Sequence, residues 1–195
     1  MTENKEKFYV FSGIEHNLTG TDYLNRYYGA AGVDYGYVFA NKHCMSALNK
    51  LLESLEEKYD TTLVITSGKR ENPNYCVEYL KYNGLKYDKP IYFTKFVAGP
   101  RGEKIVDFLE EQGASPLEFH KAPLYVKFLK YFKDNPDFKN YVVLDIPQAN
   151  ISKYIPASQF KKLNPRAGLT MKDTAEILAK HNIELKLDEP QKGVQ

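Results

Sequence analysis

Three short segments of this chain are apolar at nearly every position: FYVF at residues 8–11, TTLVIT at 61–66 and YVVLDI at 141–146. Successive side chains of a strand point to opposite faces, so a strand with one wet face alternates apolar and polar residues. A strand covered on both faces does not alternate, and reads as a continuous apolar run. Segments of this kind require a sheet buried between two layers. PIYFTKF at 90–96 is a weaker fourth candidate, broken by Lys95.

Helical patterns fill the intervals. After Asn41, a residue suited to an N-cap, Cys44, Leu48, Leu51, Leu52 and Leu55 recur at helical spacing. Residues 74–82 read as a shorter helix closed by Asn83-Gly84, and 101–111 as one with Ile105, Phe108 and Leu109 on a single face. Tyr125, Phe128, Leu129 and Phe132 form another stripe. Thr170, with Asp173 three residues on, caps a last helix with Met171, Ala175 and Leu178 turned inward. Strands alternating with helices predict an α/β protein: a three-layer α/β/α, Rossmann-like sandwich on a mainly parallel sheet.

The 195 residues, 43% of them hydrophobic, suffice for one substantial core. The predicted organisation is a single domain over 1–187 with a polar tail at 188–195. Residues 17–40 carry five Tyr and four Gly and are expected to form an irregular flap over the sheet edge. A formal net charge of +2 gives no global reason for nucleic-acid or membrane binding, so any basic surface must be local. MTENKEKF lacks an apolar signal core, and no apolar run is long enough to span a bilayer; the expected setting is cytoplasmic, away from membranes. Two cysteines, Cys44 and Cys76, are too few for a disulfide framework and show no metal-ligand spacing. The 16 Tyr and 11 Phe, with no Trp, supply packing residues and some excess for a contact surface.

In an open α/β sheet, ligands bind beyond the carboxyl ends of the strands. That places Ser12, Gly13, Glu15 and His16 after the first strand, Thr66, Ser67, Lys69 and Arg70 after the second, and Asp145, Gln148 and Asn150 after the YVVLDI strand. Arg101, Glu103 and Lys104 open the helix after Ala98-Gly99-Pro100. Hydroxyls, cations and a carboxylate at one end of a sheet suit a phosphate: Ser67 and free backbone N–H groups donate to its oxygens while Lys69, Arg101 or Lys104 balances its charge. The same residues also read as solvated cations around a serine that closes a turn. His16 reads as a hydrogen-bonded structural histidine, and Cys44 as a small core residue.

The order of these segments resembles the haloacid dehalogenase-like (HAD) superfamily of phosphohydrolases, and within it the small domains with a minimal cap found in RNA-repair proteins. FYVFSGIEHNL is similar to the first motif, LVITSGKR to the second, RGEKIVDFL to the helix carrying the third, and YVVLDIPQA to the fourth; NPRAGLTMKDTAEIL resembles the closing loop and helix. The resemblance implies a nucleophilic aspartate where this chain has Gly13 and an acid/base aspartate where it has Glu15. It assigns phosphate binding to Ser67, or Thr66 in a shifted register, with Lys104 or Arg101 as the third-motif cation, and makes Asp145 the remaining Mg²⁺ ligand. A glycine forms no phospho-intermediate. The implied function is therefore a catalytically degenerate protein that binds a phosphorylated small molecule, a nucleotide or a nucleic-acid end, or a protein partner on the Tyr-rich flap, with no cofactor expected. An active Mg²⁺-dependent phosphohydrolase using Glu15 or His16 is the alternative, and a scaffold or oligomerisation module the third.

Overall fold

The computed structural model describes residues 5–22, 40–67, 72–95, 99–111, 140–147 and 151–186. Among the described residues five strands, β1 (Lys7–Ser12), β2 (Asp60–Ile65), β3 (Tyr92–Phe93), β4 (Tyr141–Asp145) and β5 (Phe160–Lys162), form one sheet in the order β3-β2-β1-β4-β5, and every pairing among them is parallel. The three apolar runs are its three central strands. The 90–96 segment contributes only the two residues of β3. The sequence pattern did not predict β5, because a three-residue edge strand reading Phe-Lys-Lys has no apolar run to announce it.

The alternation of side chains explains why the central strands are apolar throughout. Phe8 and Val10 of β1, with Leu63, Ile65, Val142 and Leu144, face one core; Tyr9 and Phe11, with Val64, Tyr141 and Val143, face the other. The first core is covered by α2 (Lys42–Lys58), α3 (Pro73–Tyr82) and α5 (Met171–Lys180), and the second by α4 (Arg101–Glu111) with a 3-10 turn at Ile151–Lys153. Helices on both faces of a parallel sheet make the three-layer sandwich.

Helices α2, α3 and α5 each begin at a capping side chain. Asn41 accepts from the His43 N–H at 2.9 Å to start α2, and Leu48, Leu51 and Leu55 on its inner face are fully buried. Each such leucine contributes about 2 kcal/mol by leaving water. Asn72 accepts from Tyr75 N–H to start α3, with Pro73 at its first position. Thr170 and Asp173 form a reciprocal capping box on α5. Its deepest residues are Thr174, Ile177 and Leu178, with Met171 and Ala175 only partly buried. Thr174 sits inward because its hydroxyl donates to the Ala47 carbonyl at 3.1 Å, tying α5 to α2.

The start of the expected flap is ordered structure instead. Residues 15–18 form a short helix, α1 (Glu15–Leu18), and the chain through Asp22 is held against the loop before α5. Thr21 and Asp22 N–H donate to the carbonyls of Pro165 and Arg166, and Leu169 N–H donates to Asn17 O at 2.8 Å. Gly20 (φ 70°) and Gly168 (φ 73°) make this approach possible; a Cβ on Gly168 would lie 2.8 Å from Asn17 O and from Cys44 Sγ. The Tyr-rich stretch 23–39, the stripe at 125–132 and the tail from 188 fall outside the described residues, as do Lys69, Arg70, Gln148 and Asn150.

Candidate functional site

The sheet order fixes where a ligand can enter. From β1 the chain moves to β2 and β3 on one side, then returns to β4 on the other, so β1 and β4 flank the topological switch point. Register brings their ends level: Ser12 stands opposite Ile65 of β2 and Leu144 of β4. The residues that follow therefore emerge together, and a cavity of about 220 Å³ lies there, lined by Gly13, Glu15, His16, Asn17, Arg101, Asp145 and Ile146. Five of these are candidates named from the sequence: Gly13, Glu15, His16 and Asp145 at strand ends, and Arg101 at the start of a helix.

Arg101 and Asp145 dominate the cavity. Arg101 is the first residue of α4, and its Nη1 donates to Asp145 Oδ2 at 2.6 Å. The other carboxylate oxygen, Oδ1, accepts from the Ile146 N–H at 2.8 Å. The Asp145 side chain is 2% exposed and that of Arg101 31%. Burial pushes the Asp145 carboxyl above its ordinary range; Arg101 and the Ile146 N–H oppose this, and the charge of Glu15 adds to it. The short contact between them is that of a charge-assisted pair.

The space above Gly13 is already furnished. A Cβ there would stand 3.2 Å from Asn17 Nδ2 and 3.6 Å from Arg101 Nη1. Asn17 is buried and donates through Nδ2 to the Leu144 carbonyl at 2.6 Å, joining α1 to β4. Its role was not legible in EHNL, since a polar residue one turn beyond a strand end reads as surface. His16 departs from expectation as well: its buried Nδ1 has no hydrogen-bond partner among the described residues. α4 approaches closely enough that a Cβ on Gly102 would meet the Tyr154 ring at 2.7 Å, which fixes the position of Arg101 one residue earlier.

The phosphate-binding candidates are distributed differently. Thr66 and Ser67 follow β2 and are buried, and Lys104 is only 7% exposed, so Lys104 is not the solvated cation that the alternative reading of the sequence allows. None of the three lines the cavity. Cys44 is a core residue, 1% exposed, and burial pushes its thiol up to about 11. A larger groove of about 1050 Å³ runs along α2 past Met45, Asn49 and Glu53 to Tyr82, Lys86 and Asp88. Its cations and anions are balanced and it touches none of the strand-end residues. The smaller cavity, where the chemistry converges, is the candidate site.

Among the described residues, no three or more His, Cys, Asp or Glu side chains are grouped to hold a metal ion, and no helix is long and apolar enough to cross a membrane. Compared with protein-family models, curated proteins and solved structures, the chain matches none.

Proposed function

We propose that this protein is a catalytically degenerate, HAD-like binding protein, in which the switch-point cavity receives the phosphate end of a small phosphorylated molecule such as a nucleotide. The observation that carries this reading is the state of the position where attack on phosphorus would begin. Gly13 offers no nucleophile, and the Arg101 guanidinium stands beside it in van der Waals range of any Cβ placed there. A cation with a planar fork of donors is well matched to a phosphate, and only one of its N–H groups is engaged by Asp145. A cavity of about 220 Å³ is smaller than the roughly 300–1,000 Å³ of pockets that enclose a whole drug-sized ligand. It fits a phosphate with the rest of the molecule outside.

The charge balance sets a condition on this reading. Glu15 and Asp145 against Arg101 leave the lining with a net negative formal charge when His16 is neutral, so protonation within the site strengthens anion binding. Calorimetric titration with a nucleoside monophosphate and with inorganic phosphate tests the reading. Binding weakened about tenfold or more by Arg101→Met is the expected outcome. Mg²⁺-dependent hydrolysis of a phosphate ester that is lost in Glu15→Gln or Asp145→Asn replaces it with the phosphohydrolase reading.

A further inference from the structure

The family resemblance implies a Mg²⁺ ion held in part by Asp145, and the residues present do not fit one. Mg²⁺ requires about six oxygen ligands near 2.0–2.1 Å in octahedral array, with one or two carboxylates among them. Here Oδ2 of Asp145 is taken by Arg101 at 2.6 Å and Oδ1 by the Ile146 N–H at 2.8 Å, so both oxygens face N–H donors. Asn17 presents its amide nitrogen, a donor, toward the position above Gly13 and is held so by the Leu144 carbonyl. The Gly13 carbonyl accepts from the Ser12 hydroxyl at 2.8 Å. Glu15 is the remaining carboxylate of the lining. One free carboxylate beside a guanidinium and an amide N–H falls short of the oxygen ligands that Mg²⁺ requires.

We infer that Arg101 is the resident cation of this site: its guanidinium occupies the coordination side of Asp145 and makes the cavity metal-independent. This deepens the binding reading above, yet it concerns the cation alone and is tested with metal alone. A guanidinium fixed on the first turn of a packed helix supplies positive charge without an ion to recruit, and it excludes the metal that would otherwise sit on Asp145.

The experiment uses the full chain and Mn²⁺, followed by the loss of its free-ion paramagnetic resonance signal. The unsubstituted protein is expected to bind no Mn²⁺ below millimolar concentration, whereas Arg101→Met, which frees Asp145 beside Glu15, gains a site at least tenfold tighter that Asp145→Asn removes in the double variant. Mn²⁺ binding by the unsubstituted chain that disappears in Asp145→Asn overturns the inference, as does Arg101→Met showing no gain. Should Arg101→Met fail to fold, the comparison of the unsubstituted chain with Asp145→Asn still decides: a difference between them refutes the inference, and equal indifference to Mn²⁺ upholds it. Since no phosphate is present, failure to bind phosphorylated ligands leaves this result unaffected.

Discussion

At the scale of single residues, buried charge governs the site. Asp145 titrates in the folded protein above the ordinary range of an aspartate, so the folded state holds its proton to higher pH than the unfolded chain. Its contribution to stability is therefore present below the ordinary aspartate pKa and is lost as pH rises through the raised one. Unfolding midpoints measured against pH are expected to fall across that window and to flatten in Asp145→Asn. Removing the partner is worse. Arg101→Met leaves a buried carboxylate uncompensated, an expected loss of about 2 kcal/mol near neutral pH by denaturant unfolding, below that of a fully enclosed pair because 31% of the Arg101 side chain is exposed. His181 behaves in the opposite sense. Burial, with Lys58 and Lys180 nearby, holds its imidazole below the usual value, and its ring packs edge-on to Phe8 with centroids 4.8 Å apart. Stability it supports at neutral pH is lost as pH falls through that lowered pKa; His181→Phe is expected to remove this acid sensitivity from the unfolding profile.

At the scale of elements, the parts that were legible in the sequence are those where local chemistry and burial agree. The runs at 8–11, 61–66 and 141–146 are strands because both faces are covered, and Asn41 and Thr170 begin helices because their side chains satisfy open N–H groups. Strand β5 and helix α1 were not legible, since β5 is held by pairing to β4 and α1 by the 164–169 loop, both distant in sequence. The same division runs through the site. Gly13, Glu15 and Asp145 were identifiable as strand-end residues and Arg101 as a helix-opening one, but their convergence on one cavity without Ser67 or Lys104 depended on how α4 packs against Tyr154. Gly168 tests the clasp between α1 and the loop. A side chain there must adopt a positive φ and press on Asn17 O and Cys44 Sγ, so Gly168→Ala is expected to cost about 2–3 kcal/mol in denaturant unfolding. Because Asn17 is part of the cavity wall, the same substitution should also weaken any ligand bound there.

At the scale of the whole molecule, the sheet order accounts for both the cavity and its enclosure. Two layers of helices leave the carboxyl ends of β1 and β4 as the opening, and the residues after them are the ones the chain can spare for polar work. The thiols lie on the enclosed side: Cys44 and Cys76 are at most 1% exposed. A thiol reagent is expected to label them at the rate of unfolding in the native protein and at once in denaturant, and rapid native labelling would contradict this packing.

Strand β1 is synthesised before its partners: it pairs on one side with β2 some 53 residues later and on the other with β4 more than 130 residues later, as in Lys7 with Asp60 and Tyr9 with Tyr141. Until β4 has left the ribosome, one edge of this apolar strand has no native neighbour. Emerging chains thus pass through an interval in which that edge can join another chain, and the polar cavity does not exist until that interval closes. Nascent-chain protection of β1 amides should accordingly appear only once β4 is free to dock.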